Sequence, residues 1–280
     1  MQDKILQALG IEGSLESLSP HTFRLRSDKH DLFIRVDKDK SHATGNAIAA
    51  WVAPQGVNVN VPLPGYPRDF EGGHILAYPW RDTRPLTPTD LPALGHALRR
   101  LHNALGRHPD ASRWRNATDK LLLDLTAIRV RIASGELKVS PYYDGVADLA
   151  RNESYDFVMH GSPRIACHMG DARVDAQTGD IVFFNFRNVP HACLPAAFEF
   201  ARVIEHHLLQ TGADLSHARL FLKNYGVEGR LDLGRIMLSN IVRACCALAN
   251  VNIPASQWQK IFDLYNLIRK NEAALNALEA

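Results

Sequence analysis

Cys167-His168-Met169-Gly170-Asp171-Ala172-Arg173-Val174-Asp175 runs through Ala176-Gln177-Thr178-Gly179 into Asp180-Ile181-Val182-Phe183-Phe184-Asn185-Phe186. The residues up to Asp175 alternate in polarity, the middle has turn chemistry ending in glycine, and the last part is an apolar run. This pattern predicts a β-hairpin over 172–186. It also places two short oxygen-bearing side chains on the hairpin, Asp171 ahead of the first strand and Asn185 late in the second. Read by themselves, Asp171 caps the hairpin and Asn185 is a turn residue.

Upstream, residues 1–80 read as β-rich. Thr22-Phe23-Arg24-Leu25-Arg26 alternates as a half-buried strand does, Ser27-Asp28-Lys29-His30 is a turn cluster, and Asp31-Leu32-Phe33-Ile34-Arg35-Val36 is the next strand of a hairpin. A short helix is predicted over 44–53, stopped by Pro54 and Gly56. Residues 57–73 read as loop and edge strand, and His74-Ile75-Leu76-Ala77-Tyr78 as a strand.

The composition changes near residue 81. Thr87-Pro88-Thr89-Asp90 is a helix start, with Thr as N-cap, Pro at N1 and an acid at N3. Leu91, Leu94, Leu98, Leu101 and Leu105 then fall on one helical face. Helical patterns follow over 117–134 and 142–152, a short strand over 157–160, and helix throughout from about 194 to 279. The expected architecture is α+β in two lobes. Residues 1–80 form a small antiparallel β lobe, residues 81–280 form a mostly helical lobe carrying the hairpin, and a cleft between lobes is the default ligand site.

The chain has 280 residues, 46% of them hydrophobic and 22% charged, with a net charge of +2. A chain of this length buries about 70–75% of its unfolded surface and needs no disulfide or metal staple. The balanced charge gives no electrostatic footprint for nucleic acid. Cys167, Cys193, Cys245 and Cys246 form no CxxC pair, so they read as free thiols in a reducing compartment. No apolar run approaches the ~18 residues that cross a bilayer. The N-terminus has no secretory pattern. The expected setting is soluble and cytoplasmic, with no membrane partner. His206-His207 lacks the HExxH pattern of a zinc helix, and the basic residues around Trp114 read as a solvated face.

Several segments together resemble the aminoglycoside phosphotransferase and choline kinase branch of the protein-kinase-like fold. His74-Ile75-Leu76-Ala77-Tyr78-Pro79-Trp80 with Arg84-Pro85-Leu86 is similar to its inter-lobe hinge. Leu94-Gly95-His96-Ala97-Leu98-Arg99-Arg100-Leu101-His102 is similar to the helix after it. The stretch from His168 to Phe186 resembles its catalytic loop and metal-binding hairpin, and Phe198-Glu199-Phe200-Ala201 the helix that follows. The order and spacing of these phrases over about residues 13–270 carry the resemblance.

That resemblance implies ATP and Mg²⁺ as cofactors and phosphoryl transfer to a hydroxyl of a small molecule or peptide. It places Arg35 on the phosphates, and Tyr78 and Trp80 at the hinge side of the nucleotide. Ser19 and Thr22 fall in the phosphate-covering turn, where Pro20 removes a donor and no glycine stands between Gly13 and Gly45. Asn46 or a neighbour occupies the place of the helix acid that would pair with Arg35, and the nearest acids, Asp37 and Asp39, precede the helix.

The catalytic loop admits two registers. In one, His168-Met169-Gly170-Asp171 is the "H-G-D" phrase with an insertion and Asp171 is the base. In the other, Asp171 is the first metal ligand and Asn185 the second. The base position then falls on Ala166, or on Ser162 if His160-Gly161-Ser162 is the phrase, with His160 or His168 substituting as base. Two function classes follow. One is an atypical ATP- and Mg-dependent phosphotransferase. The other is an inactive pseudokinase that binds a nucleotide, a peptide or a protein partner.

Overall fold

The computed structural model describes residues 2–38, 41–114, 126–127, 129–136, 171–191, 195–248 and 254–278. The chain divides into two units, Met1–Pro85 with Gly170–Asn188, and Leu86–Met169 with Val189–Ala280. The 172–183 hairpin, placed by sequence order in the helical lobe, therefore groups with the N-terminal sheet. Its partners are residues far away in sequence, which local patterning does not reveal.

In the first unit, helix α1 (Gln2–Leu9) precedes strands β1 (Ser14–Ser19), β2 (Thr22–Arg26) and β3 (Asp31–Asp37), followed by helix α2 (Ser41–Val52). Strands β4 (Arg68–Phe70), β5 (Gly73–Pro79) and β6 (Thr83–Arg84) come next, and β7 (Ala172–Asp175) and β8 (Ile181–Phe183) complete the unit. One antiparallel sheet has the order β1-β2-β3-β5-β4, and a smaller one the order β6-β7-β8. The β2–β3 hairpin pairs Phe23 with Ile34 and Leu25 with Leu32, as the alternation predicts.

Because strand side chains alternate, each strand divides its residues between two faces. Phe23, Leu25, Leu32, Ile34, Ile75 and Ala77 point to one face, where Ile5 and Leu9 of α1 cover them. Phe33, Arg35 and Tyr78 point to the other. Sequence reading passed over α1 and β1. Only two residues of α1, Ile5 and Leu9, are buried, one turn apart. Strand β1 is almost wholly exposed and owes its place to backbone pairing with β2.

Helix α2 begins at Ser41, three residues before the expected Thr44. A 3₁₀ turn, Ala53–Gln55, ends it, with Gly56 in the left-handed conformation at φ 79°. Glycine tolerates that conformation without steric cost. Beyond it, the Asn58 carbonyl accepts a bond from the N–H of Phe183 and the Phe183 carbonyl one from Asn60. The 57–60 segment is thereby tied to β8.

In the second unit, the predicted start near Thr87 appears as a 3₁₀ turn, Pro88–Asp90, leading into α3 (Leu91–Gly106). The Asp90 carboxylate accepts from the Thr87 backbone N–H at 2.8 Å and from its hydroxyl. Leu91, Leu94, Leu98, Leu101 and Leu105 are all fully buried. Helices α4 (Ala196–Ile204), α5 (Ser216–Tyr225), α6 (Leu233–Leu248) and α7 (Ala255–Asn276) follow, with a π-helical turn, Glu205–Leu209, extending α4. Helix α3 lies so close to α5 that a Cβ at Gly95 would strike the Phe221 carbonyl oxygen.

Of the expected helix over 117–134, residues 126–127 and 129–133 are described and helical. The expected helix over 142–152 and strand over 157–160 lie outside the described residues, as do His160, Ser162, Ala166, Cys167, His168 and Cys193. Trp114, read as part of a solvated stretch, is itself buried, with its ring 4.4 Å from that of His108. No helix among the described residues is long and apolar enough to cross a membrane.

Candidate nucleotide site

A cavity of about 330 Å³ lies within the first unit. Its walls come from the uncovered face of the sheet (Phe33, Arg35, Tyr78, Trp80), from α2 (His42, Asn46), and from the hairpin (Arg173, Phe184, Asn185). Arg81 and Thr83 line it too. Three guanidinium groups and no carboxylate appear among the lining residues. Such a wall attracts an anion, and aromatic rings beside it offer a planar group apolar faces.

Arg35 stands in the middle of β3, opposite Thr22 on β2 and Leu76 on β5. Its Nε donates to Asp37 Oδ2 at 3.0 Å. Residues i and i+2 of a strand share a face, which puts Asp37 on the side of Arg35. His42, on the first turn of α2, brings its Nε2 to the same carboxylate oxygen at 2.9 Å. Asn46, one turn later, accepts through Oδ1 from the Tyr78 hydroxyl at 2.8 Å, and burial raises the pKa of that phenol, so it stays protonated. The helix therefore supplies a histidine to Asp37 and an amide to Tyr78, while the acid that meets Arg35 comes from the strand.

Trp80, just past β5, is held from two sides. The Arg24 guanidinium lies 3.9 Å over its ring, and its indole N–H donates to Asp82 at 2.7 Å. Arg24 is itself fixed by a two-pronged bond to Asp31, at 2.9 and 2.6 Å, which keeps that carboxyl below its ordinary range. Arg173 on β7 donates through Nε to the Thr83 hydroxyl at 2.7 Å. Arg81 reaches Asn58 Oδ1 at 2.9 Å and Asp175 at 3.6 Å.

At the mouth of the hairpin, Asp171 immediately precedes β7 and Asn185 follows β8 by two residues. Asn185 Nδ2 donates to Asp171 Oδ1 at 3.0 Å, and the Phe184 N–H donates to the Asp171 carbonyl at 2.7 Å. Asn185 adopts φ 60°, a left-handed conformation that asparagine tolerates better than most residues, and this ends the strand. β8 thus stops at Phe183, short of the expected Phe186. Gly45 is required next to this turn. A Cβ there would come within 2.7 Å of the Arg187 backbone nitrogen, so α2 passes directly against the chain that leaves Asn185.

Of the residues singled out from sequence, Arg35, Tyr78, Trp80 and Asn185 line one cavity, and Asp171 is bonded to Asn185 beside it. Ser19 and Thr22 are not among the lining residues. Their hydroxyls lie 2.7 Å from each other, and the cavity meets this turn at Leu18. Sequence reasoning missed His42, Asn60, Arg81, Thr83 and Arg173 as lining residues. Arg173 alternates with the buried Val174 on β7, a signal that it faces the opposite side from the hairpin's packed face.

An antiparallel sheet with one covering helix, one helix on its other side and a helical second unit define the protein-kinase-like fold. Solved aminoglycoside phosphotransferases share it over nearly the whole chain. One from Alicyclobacillus acidocaldarius subsp. acidocaldarius DSM 446 superposes with a TM-score of 0.63 at 11% identity, covering 99% of this chain and 94% of that one. A spectinomycin phosphotransferase bound to AMP gives 0.57 at 14% identity, covering 96% of each chain. An aminoglycoside phosphotransferase from Streptomyces rimosus ATCC10970, in complex with ADP and streptomycin, gives 0.53 at 15% identity, covering 88% of this chain and 97% of that one. No family model and no curated protein matches the sequence. At these identities the likeness is one of fold.

Proposed function

We propose that the protein is an atypical phosphotransferase that binds a nucleoside triphosphate in the first-unit cavity and transfers phosphate to a hydroxyl of a small molecule. The carrying observation is that Arg35, the aromatic residues Tyr78 and Trp80, and Asn185 line one cavity, with Asp171 bonded to Asn185 at its edge. Phosphoryl transfer asks mainly for positioning and charge neutralisation, and this wall supplies donors and cations. The complexes of the matched structures with AMP, or with ADP and streptomycin, agree with a nucleotide in the cavity and a small-molecule acceptor.

The hairpin geometry supports the register in which Asp171 and Asn185 are the metal-side pair, because both strands stay intact between them. A carboxylate and an amide oxygen are hard donors suited to Mg²⁺. Among the described residues there is no cluster of three His, Cys, Asp or Glu. At such a pair phosphates and water would complete the coordination sphere. Bound there, Mg²⁺ would neutralise charge on the phosphates. Arg35 would orient them through its Nη groups, Trp80 would hold the base side, and the low-dielectric wall of Phe33, Phe184 and Phe186 would exclude water. In this register the base function falls to His160 or His168, with Ser162 at the corresponding loop position.

The pseudokinase reading is favoured by one specific feature. The β1–β2 hairpin meets the cavity at Leu18, a side chain with no donor for phosphate, and its Ser19 and Thr22 hydroxyls are engaged with each other. Such a protein would bind a nucleotide, peptide or partner protein without turnover. Thermal unfolding with Mg-ATP separates binding from non-binding. A ligand at 100 times its Kd adds about 2.7 kcal/mol and raises Tm by several degrees. ADP release on adding hydroxyl acceptors then separates enzyme from pseudokinase. Absence of any shift at millimolar Mg-ATP overturns the nucleotide reading.

A further inference from the structure

We propose that Asp37 and His42 are positioning residues for phosphate binding: Asp37 sets the direction of the Arg35 guanidinium, and His42 ties that carboxylate to α2. This rests on the nucleotide reading of the cavity. The resemblance implies an acid supplied by the helix, but the geometry reverses the arrangement. The carboxylate is on the strand, two residues beyond the cation it serves, and the helix contributes the second donor.

Three observations carry the assignment. First, the Arg35–Asp37 contact uses Nε, at 3.0 Å, and Arg35 makes no other hydrogen bond or ion pair among the described residues. Both Nη groups are therefore left for an anion, the edge that binds phosphate oxygens in pairs. Second, His42 Nε2 lies 2.9 Å from the same Oδ2, and its side chain is 8% exposed. A buried ring in that position is a fixed anchor, and its N–H donates whether or not the other nitrogen carries a proton. Third, the helix position one turn on is Asn46, whose amide oxygen is taken by Tyr78. Among the described residues, the helix side of the cavity thus has no acid to perform the role, and Asp37 is the acid bonded to Arg35.

A carboxylate shared by two donors holds a narrow orientation, and through it α2 and β3 fix Arg35 together. The consequence is specific. Loss of Asp37 or His42 should weaken ligands that carry phosphates and leave the nucleoside portion untouched.

The test compares ATP with adenosine, each titrated calorimetrically into the full chain. Asp37→Asn should weaken ATP about ten- to a hundredfold, the scale of a lost charge-assisted bond. His42→Gln, whose amide can still donate to the carboxylate, should weaken it less, about three- to tenfold. Asp37→Glu should stay within a few-fold of wild type, and adenosine affinity should be unchanged throughout. Equal losses for ATP and adenosine would mean that the pair only holds the fold, and would overturn the proposal. So would wild-type ATP affinity in both Asp37→Asn and His42→Gln. A wild-type chain that binds no ATP would overturn the nucleotide reading itself and this assignment with it. If Asp37→Asn does not fold, His42→Gln carries the same comparison.

Discussion

His42 meets Asp37 at 2.9 Å in the first unit, and His102 meets Glu199 at 2.8 Å in the second. The two pairs have the same chemistry and almost the same length. Their third partners and their access to water differ. Asp37 also holds Arg35, whose side chain is 34% exposed at a cavity wall. His102 passes its other ring nitrogen to the Tyr225 hydroxyl at 2.9 Å, and the His102 and Glu199 side chains are 1% and 4% exposed. Tyr225 packs on Phe200, ring centroids 4.5 Å apart, so the second network is enclosed between α3, α4 and α5. A histidine–carboxylate pair becomes part of a site when it orients a third group that faces a ligand. It becomes part of the core when every donor and acceptor is spent internally.

The strongest way to break this comparison is to remove one member of the sealed pair. Glu199→Leu removes the Nε2 partner of the buried His102 ring, and leaving one half of a buried hydrogen bond unmet costs about 1–3 kcal/mol. Urea unfolding should show that loss, whereas Asp37→Asn should cost less, because the amide keeps an acceptor for His42 and the Arg35 side chain beside it is 34% exposed. Equal costs would erase the distinction between the two pairs.

The next effect comes from Gly45→Ala. The added methyl meets the backbone at 186–187, and overpacking of this kind costs about 1–3 kcal/mol. Unfolding midpoints should fall, and ATP affinity should fall with them, because the same helix carries His42 and Asn46. A stable variant with unchanged affinity would show that α2 has freedom to retreat from that backbone.

Asn185→Asp sharpens the metal side of the argument. It sets a second carboxylate beside Asp171, where the amide now donates at 3.0 Å. Without Mg²⁺, the lost bond and like-charge repulsion should lower stability by about 1–3 kcal/mol. Millimolar Mg²⁺ should restore it, and the rise in Tm on adding Mg²⁺ should exceed that of wild type. No added response to Mg²⁺ would argue that the pair does not face a cation.

The smallest expected effect is a pH slope. Burial, with neighbouring His206 adding to it, holds His207 down to about 4, below its ordinary 6.5. The unfolded chain then takes up the proton first, so stability is full above about pH 6.5 and declines as pH falls toward 4. Burial acts oppositely on Glu205, raising its pKa, so that acidification favours the fold through that group. The difference between wild type and His207→Gln isolates the histidine. Midpoint temperatures at pH 7, 6 and 5 should fall less steeply in the variant.

Much of the local structure was legible in the sequence, because local chemistry determines it. The β2–β3 hairpin follows from alternation across a turn cluster. Helix α3 follows from Thr87, Pro88 and Asp90 ahead of a leucine face. The pairing of Asp171 with Asn185 follows from the length of the hairpin between them. What escaped reading depends on distant partners. β1 has few apolar residues and is specified by the strand it pairs with. Ser41 to Ala43 carry no strong start signal, so the helix turn that bears His42 went unseen. Asp37 lies one residue past the predicted end of its strand at Val36; the strand runs on to Asp37, and the spacing of two then puts it on the face of Arg35.

The first unit is assembled from two separated stretches of chain, residues 1–85 and 170–188. During synthesis the sheet emerges early, but Arg173, Phe184, Asn185 and Phe186 leave the ribosome only after some hundred further residues have been added. A fragment ending at residue 85 carries the hinge-side aromatics and Arg35 yet has an open wall where the hairpin belongs. The cavity is thus complete only once the hairpin has joined the sheet. A circular permutant that joins the hairpin directly to the sheet would bring that moment forward.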